Sequence, residues 1–367
     1  MILTPRPFLY VGVIVSSVFA VIYHPVDRPK GEWHVARRID LPATGMPRVH
    51  PAMMSDRLAM DSGFFKEVRV PESQMNKNSS IPPFAYGNPS NSYQNVVDQH
   101  PEGKTNPASP SLHTEVNQDS DSRLLSVNSF DDWCTFAPKS LKKDLGDVEE
   151  TVVAYCTKPR NNARVIPDGT VTAAHFVKTP LYVQVMALGN FTNINLKKSD
   201  DGGELDPHGQ YGKGNPVGGK VTSNVTGQDV FYQEWMNYVS HDEVCVRVCT
   251  AGSMEADPRT VCNHVYDLMG CRWVMPGSYK DNSFDSCEAD PAYPPGVYVK
   301  NDKTSTFQQY NTGTWVSKGP DGTRTLGYTN GSRGQKTPEQ AFSHPKSSQC
   351  KSHSSISNGL HFSSRSK

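Results

Sequence analysis

The sequence predicts a mainly β protein: a disulfide-stabilised, β-sandwich-like domain with one short α-helix, flanked by disordered segments. Three observations predict it. Between Val127 and Tyr298, short apolar runs alternate with turn residues, the pattern of many short strands. Eight cysteines (Cys134, Cys156, Cys245, Cys249, Cys262, Cys271, Cys287 and Cys350) follow an apolar N-terminal run, which favours bridges over free thiols. Outside that stretch the chain is rich in Pro, Ser, Asn, Gly and Thr and shows neither a strand nor a helix period.

The N-terminus carries Arg6 and an apolar run from Pro7 to Tyr23, with Val18-Phe19-Ala20 as a small-residue exit. Residues 1–20 therefore read as a secretory signal peptide. The alternative is an uncleaved anchor, although a run of about 17 residues is at the lower edge of what spans a bilayer. Cleavage leaves no stable membrane insertion. Residues 21–126 read as a disordered linker, since isolated pairs such as Phe64-Phe65 do not offset the entropy of ordering them. Four N-glycosylation sequons, at Asn78, Asn190, Asn224 and Asn330, agree with export. Formal net charge is zero, so no basic field favours nucleic acid as a partner.

Residues 127–300 form the expected β-rich domain. Thr151–Thr157 and Ala163–Ile166 are its first strand candidates, and Pro167-Asp168-Gly169 makes a turn, with Gly permitting positive φ. Thr170–Lys178 and Leu181–Leu188 follow. In the latter, Leu181, Val183, Val185 and Ala187 share one face and Tyr182, Gln184, Met186 and Leu188 the other. Both faces are largely apolar, so this strand belongs in the centre of a sandwich. Val217–Val225, Val230–Val239 and Glu243–Thr250 read as further strands. Cys245 and Cys249 lie on one face of the last, about 13 Å apart, so each must bridge a different partner.

Pro258–Met269 has helical spacing at Val261, Val265, Leu268 and Met269, with Asp257 as a cap and Gly270 as a stop. Cys262 and Cys271, near its ends, would be roughly 13 Å apart and would staple the helix to the sheet at both ends. Residues 301–367 read as a flexible tail. Its polar end gives no support to a lipid anchor.

The series VNSFDDWC, VVAYCTK, IPDGTVTAAHFVKTPLYVQV, GGELDPHG, GNPVGG, EWMNYVS, CVRVC, CNHVYDLMGCRWVMPGSY and CEADPAYPPGVY resembles the fungal secreted proteins commonly labelled macrofage activating glycoprotein. The resemblance spans roughly Val127 to Tyr298. It implies a fungal, exported, disulfide-rich glycoprotein at or outside the cell wall, and it implies no reaction.

Functional residues concentrate in the stretch Gly202–Gly219. Glu204, Asp206 and His208 point the same way in an extended segment, with successive Cα atoms about 7 Å apart. That spacing permits a carboxylate pair for glycoside hydrolysis, and it equally suits a solvated, Gly-shaped turn. Asp200, Asp201, Glu204 and Asp206 also offer the oxygen ligands that Ca²⁺ takes, but no ordered metal-binding motif is present, and the sequence assigns no metal and no cofactor. Tyr211, Tyr232 and Trp235 are candidate platforms for sugar faces, against the alternative that strand aromatics are core.

No GxSxG, HExxH or P-loop occurs. His175 reads as a core histidine and His241 as part of a charged turn. The resulting expectation is a secreted or wall-associated, non-catalytic glycoprotein whose partner is cell-wall polysaccharide. A glycan hydrolase using Glu204, Asp206 and His208 is the alternative. Oligomeric state is not encoded in any motif.

Overall fold

A computed structural model describes residues 87–88 and 105–360, except 142, 209–213, 252–257, 302, 320–321 and 342. The expected signal peptide, most of the expected linker, Asn78 and Tyr211 lie outside the described residues. In chain order the strands are β1 (Gly87–Asn88), β2 (Leu124–Ser129), β3 (Asp132–Ala137), β4 (Val153–Cys156), β5 (Arg164–Val165), β6 (Val171–Lys178), β7 (Tyr182–Gly189), β8 (Gly203–Leu205) and β9 (Lys220–Ser223). Next come β10 (Val230–Tyr232), β11 (Trp235–Val239) and β12 (Glu243–Cys249), then the one-turn helices α1 (Pro258–Val261) and α2 (Cys271–Val274). The remainder comprises β13 (Phe284–Asp290), β14 (Val297–Lys300), β15 (Lys303–Thr306), β16 (Asn311–Gly319), β17 (Gly322–Asn330) and β18 (Lys346–His353).

Two seven-stranded sheets carry the fold, ordered β1-β10-β9-β2-β3-β4-β5 and β18-β13-β6-β7-β12-β11-β8. Leu125, Val127, Trp133 and Phe136 of the first meet Phe176, Val183, Val185, Val244, Val246 and Val248 of the second in one shared core. That is the predicted sandwich. Strand β7 sits in the middle of its sheet, and its alternation explains why. Val183, Val185 and Ala187 enter the shared core, while Tyr182 and Met186 enter a second core on the outer face with Tyr238, Val261, Trp273 and Phe307.

The outer core is closed by covalent staples. Cys245 bonds Cys271 and Cys249 bonds Cys262, so the two cysteines on one face of β12 hold successive points of the segment that crosses it. Between those strand positions Arg247 is buried. Its guanidinium donates to Gln184 Oε1 at 2.7 and 2.8 Å and to the Val261 carbonyl at 2.9 Å, and lies 4.2 Å from the Tyr182 ring centroid. The other bridges are Cys134–Cys156, across the β3–β4 pair, and Cys287–Cys350, across β13–β18.

Four differences from the sequence reading have physical causes. The helical pattern of residues 258–269 yields only α1, because a helix of that length is marginal alone and tertiary ties decide its shape. Those ties are the Cys249–Cys262 bridge and the Tyr266 hydroxyl, which donates to the Phe307 carbonyl at 2.6 Å. The apolar run Val230–Val239 splits at Gln233-Glu234 into β10 and β11, which belong to different sheets.

Residues 105–126, read as linker, include the core positions Leu124 and Leu125 and are fastened by polar side chains. Asn106 Nδ2 donates to the Gly218 carbonyl at 2.7 Å, and Gln118 Nε2 to that of Val165 at 2.9 Å. Strands also continue beyond residue 300, where composition predicts a tail. Strand β18 is polar and largely exposed, so backbone pairing and the Cys350 bridge fix it, and no hydrophobic period records it.

Candidate functional site

Strand β8 is the edge of the second sheet, and Glu204 lies directly opposite Tyr238 of β11. The approach to that edge needs glycine: Gly202 has φ +89°, and a Cβ there would stand 2.1 Å from the Val239 carbonyl oxygen. After β8, Asp206 and Asn215 exchange backbone hydrogen bonds of 3.0 and 2.8 Å, which closes the turn between them. The Asp206 carboxylate accepts the His208 backbone N–H, an Asx-type turn that aims the imidazole inward.

Glu204, Asp206, His208 and Glu234 are all buried. His208 Nε2 lies 2.9 Å from Glu234 Oε2, and Arg259 Nε donates to Glu234 Oε1 at 3.1 Å. The ring of His264 stacks on that of His208, with centroids 4.7 Å apart and planes 20° from parallel. Glu234 stands at the break between β10 and β11, and its carbonyl accepts the Cys249 N–H at 3.0 Å. The second sheet's edge, the β10–β11 link and the disulfide-bound segment after Cys249 therefore meet at this point.

Burial disfavours charge on Glu204, and the neighbouring Asp206, Asp267 and Glu149 act the same way, as does its direct interaction with Asp206. Its carboxyl is raised well above the ordinary range. His208 shows opposing effects. Burial lowers its affinity for a proton, but the hydrogen bond to Glu234 and the charges of Glu234 and Asp206 raise it overall. For His264 burial prevails and the imidazole is lowered, Asp206 notwithstanding. The 3.8 Å approach of His264 Nδ1 to Asp206 Oδ1 is therefore a contact between a neutral ring and a carboxyl group.

The predicted trio Glu204, Asp206 and His208 is thus brought together. Glu234, Arg259 and His264 complete the cluster, and they lie outside the Gly202–Gly219 stretch in which the sequence concentrates its candidates. The signal for Glu234 was an acid inside an apolar run, VFYQEWMNYV. The proposed sugar platforms fare differently. Tyr232 and Trp235 are core residues, 2% and 0% exposed, so neither ring presents a face to a ligand. Tyr211 lies outside the described residues.

Asp200 caps backbone, accepting from the N–H of Leu145 at 2.8 Å and of Gly202 at 2.9 Å. Asp201 is exposed, so the four candidate Ca²⁺ ligands do not converge. Among the described residues no group of three or more His, Cys, Asp or Glu could hold a metal ion. No helix among them is long and apolar enough to cross a membrane.

A second constellation surrounds His175, whose Nδ1 lies 2.8 Å from Asp285 Oδ2 and whose Nε2 lies 3.0 Å from the Lys280 carbonyl and 3.5 Å from Ser278 Oγ. A carbonyl only accepts, so Nε2 donates towards Lys280 and is not placed to take a proton from Ser278. The ring fastens the Ser278–Lys280 turn to β6 and β13. His241 Nδ1 lies 3.0 Å from the Asp200 carbonyl, at the turn before β12. Of the sequons, Asn190 and Asn224 are exposed, and the Thr192 hydroxyl donates to Asn190 Oδ1 at 2.6 Å. Asn330 ends β17.

No family model matches the chain, and no solved structure matches it. Two curated fungal proteins do. Over 248 residues the chain is 39% identical to appressorium protein ROW1 of Mycosarcoma maydis, a match covering 66% of this chain and 51% of that protein. Over 236 residues it is 38% identical to appressorium protein ROW2 of the same fungus, covering 64% of this chain and 71% of that protein. The chain thus spans about half the length of ROW1.

Proposed function

The chain belongs to the family of the fungal appressorium proteins ROW1 and ROW2, and from that premise we propose that it is a secreted or cell-wall-associated, non-catalytic glycoprotein that binds polysaccharide. The observation that carries the non-catalytic part is the closure of the site. Glu204, Asp206, Glu234 and the His208 imidazole are buried, and His208 and Arg259 engage Glu234, so they serve as a brace inside a stapled scaffold. Four disulfides suit an oxidising compartment. Exposed Asn190 and Asn224 suit glycan attachment there. The resemblance to macrofage activating glycoproteins is part of the same proposal.

The hydrolase alternative requires two carboxyl groups about 5–9.5 Å apart, with a glycosidic bond between them. Glu204 and Asp206 instead interact directly. Incubation with insoluble chitin and β-glucan separates the readings. Retention without release of reducing sugar supports binding. Release that is abolished by Glu204→Gln replaces the proposal with the hydrolase, and neither retention nor release removes polysaccharide as the partner.

A further inference from the structure

Strands β16 and β17 form a two-stranded sheet of their own, in register from Asn311 opposite Asn330 to Gly319 opposite Gly322. A hairpin without a third strand is marginal in water unless something packs on one of its faces. Cross-strand partners share a face and neighbours in a strand alternate, so the register puts Trp315, Leu326, Tyr328 and Asn330 on one face and Thr312, Val316, Thr325 and Thr329 on the other. The first of these faces ends in a modification signal. Asn330-Gly331-Ser332 is an N-glycosylation sequon, and its acceptor follows Tyr328 by two residues along the same face. At the other three sequons that position holds Asn76, Leu188 and Thr222, none of them aromatic.

We propose that an N-glycan on Asn330 folds back along this face of the hairpin, with its first sugar on Tyr328, and so keeps β16 and β17 ordered. The proposal rests on the reading of the chain as an exported glycoprotein, and it gives one glycan a place and a role. Thr329 and Ser332 are exposed, so the surroundings of the acceptor are open to a transferase. Gly331 lets the chain turn away there: its φ is +63°, and a Cβ would stand 2.5 Å from the Gln308 carbonyl oxygen. Gly313 lies opposite Tyr328, so the face has no cross-strand side chain beside that tyrosine.

In the covalent step, Asn330 Nδ2 bonds to the anomeric carbon of an oligosaccharide supplied as a lipid diphosphate. That carbon's bond to the diphosphate oxygen breaks, the electron pair leaves on the lipid diphosphate, and the amide gives up one proton. Two residues along a strand are about 7 Å apart, within reach of a sugar fixed to one of them. The apolar C–H face of a sugar ring suits the electron-rich face of an aromatic ring. Such a contact is weak between free molecules, but tethering makes it intramolecular, at an effective concentration on the order of millimolar.

The test begins with peptide mass spectrometry of the full chain secreted from a fungal host, after release of glycans by peptide N-glycosidase in heavy-oxygen water, which labels each occupied asparagine. Label at Asn330 is expected. Label at Asn190 or Asn224 without Asn330 overturns this inference and leaves the exported-glycoprotein reading standing, and no label at any sequon overturns both. Amide exchange then tests the role. Ser332→Ala, which removes the signal and keeps Asn330 and Tyr328, is expected to exchange at least about tenfold faster across Asn311–Gly319 and Gly322–Asn330 and at the wild-type rate across β7. Trimming the wild-type glycan to its first sugar should preserve the slow exchange. Tyr328→Thr should speed exchange in the glycosylated chain and add little to Ser332→Ala, because ring and sugar act as a pair. Equal exchange with and without the glycan, or an equal effect of Tyr328→Thr in both chains, overturns the proposal. Should the variants not be secreted, folded wild type treated with peptide N-glycosidase supplies the glycan-free chain, and unchanged exchange in its hairpin overturns the proposal equally.

Discussion

Glu204 of β8 and Tyr238 of β11 occupy directly opposed positions at the sheet edge, and both Glu204 Oε1 and the Tyr238 hydroxyl are buried without a hydrogen-bond partner among the described residues. An unmet buried hydroxyl costs stability, and removing it with little change of shape is close to neutral or stabilising. Tyr238→Phe is therefore expected to leave the fold unchanged or to raise its stability by about 1 kcal/mol. Urea midpoints at constant slope check this, and a loss above that size would mean that the hydroxyl bonds within the cluster.

Glu234 behaves in the opposite way, since it joins His208 to Arg259 from a fully buried position. Its removal leaves His208 buried without its carboxylate. Glu234→Ala should cost about 3–5 kcal/mol, a large share of a typical domain's stability. Denaturant unfolding at pH 6 and pH 8 measures it, and a cost under 1 kcal/mol would show that the pair is not structural.

Burial of Tyr232 and Trp235 separates stability from binding. Trp235→Ala removes a large side chain from the shared core and should cost about 3–5 kcal/mol. Tyr232→Phe loses only a 3.5 Å approach to Thr226 Oγ1 and should be mild. On chitin or β-glucan, both variants should retain the wild-type affinity per folded molecule. A weaker Tyr232→Phe at full folding would return that ring to the binding surface.

What the sequence made legible follows from what periodicity records. The two-sided alternation of Leu181–Leu188 placed β7 in the centre of a sandwich, and the spacing of Cys245 and Cys249 required separate partners, as found. Polar ties leave no period. Asn106 and Gln118 attach through their side-chain amides and β18 through backbone pairing, so composition assigned their surroundings to linker and tail. The site was half visible for the same reason. Glu204, Asp206 and His208 are neighbours in sequence, whereas Glu234, Arg259 and His264 join them only once β11 pairs with β8 and Cys262 reaches Cys249.

The Cys287–Cys350 bridge is expected to reinforce the backbone pairing of β18 with β13, since that strand buries little and the bridge spans a separation of 63 residues. Replacing both cysteines by serine should cost up to about 4 kcal/mol by chain entropy. The local effect is more diagnostic. Amide exchange should rise across Lys346–His353 and stay slow across β7, and equal loss in both strands would mean that the bridge supports the whole sandwich.

Alkaline titration tests the two cores together. Burial pushes the Tyr232 phenol from 10.0 up to about 12, and raises Tyr155, Tyr182, Tyr238 and Tyr279 as well. A raised phenol binds its proton more tightly in the fold than in the open chain. Its contribution is complete below pH 10 and is lost as pH rises towards the folded value, about 3 kcal/mol for Tyr232 by itself. Several such groups acting together should make the domain unfold cooperatively between about pH 10 and 12, with phenolate absorbance appearing in the same step as the loss of near-ultraviolet dichroism. If absorbance instead rises smoothly around pH 10 while the dichroism persists, those tyrosines are reached by water in the native protein, and the packing assigned to both cores is wrong.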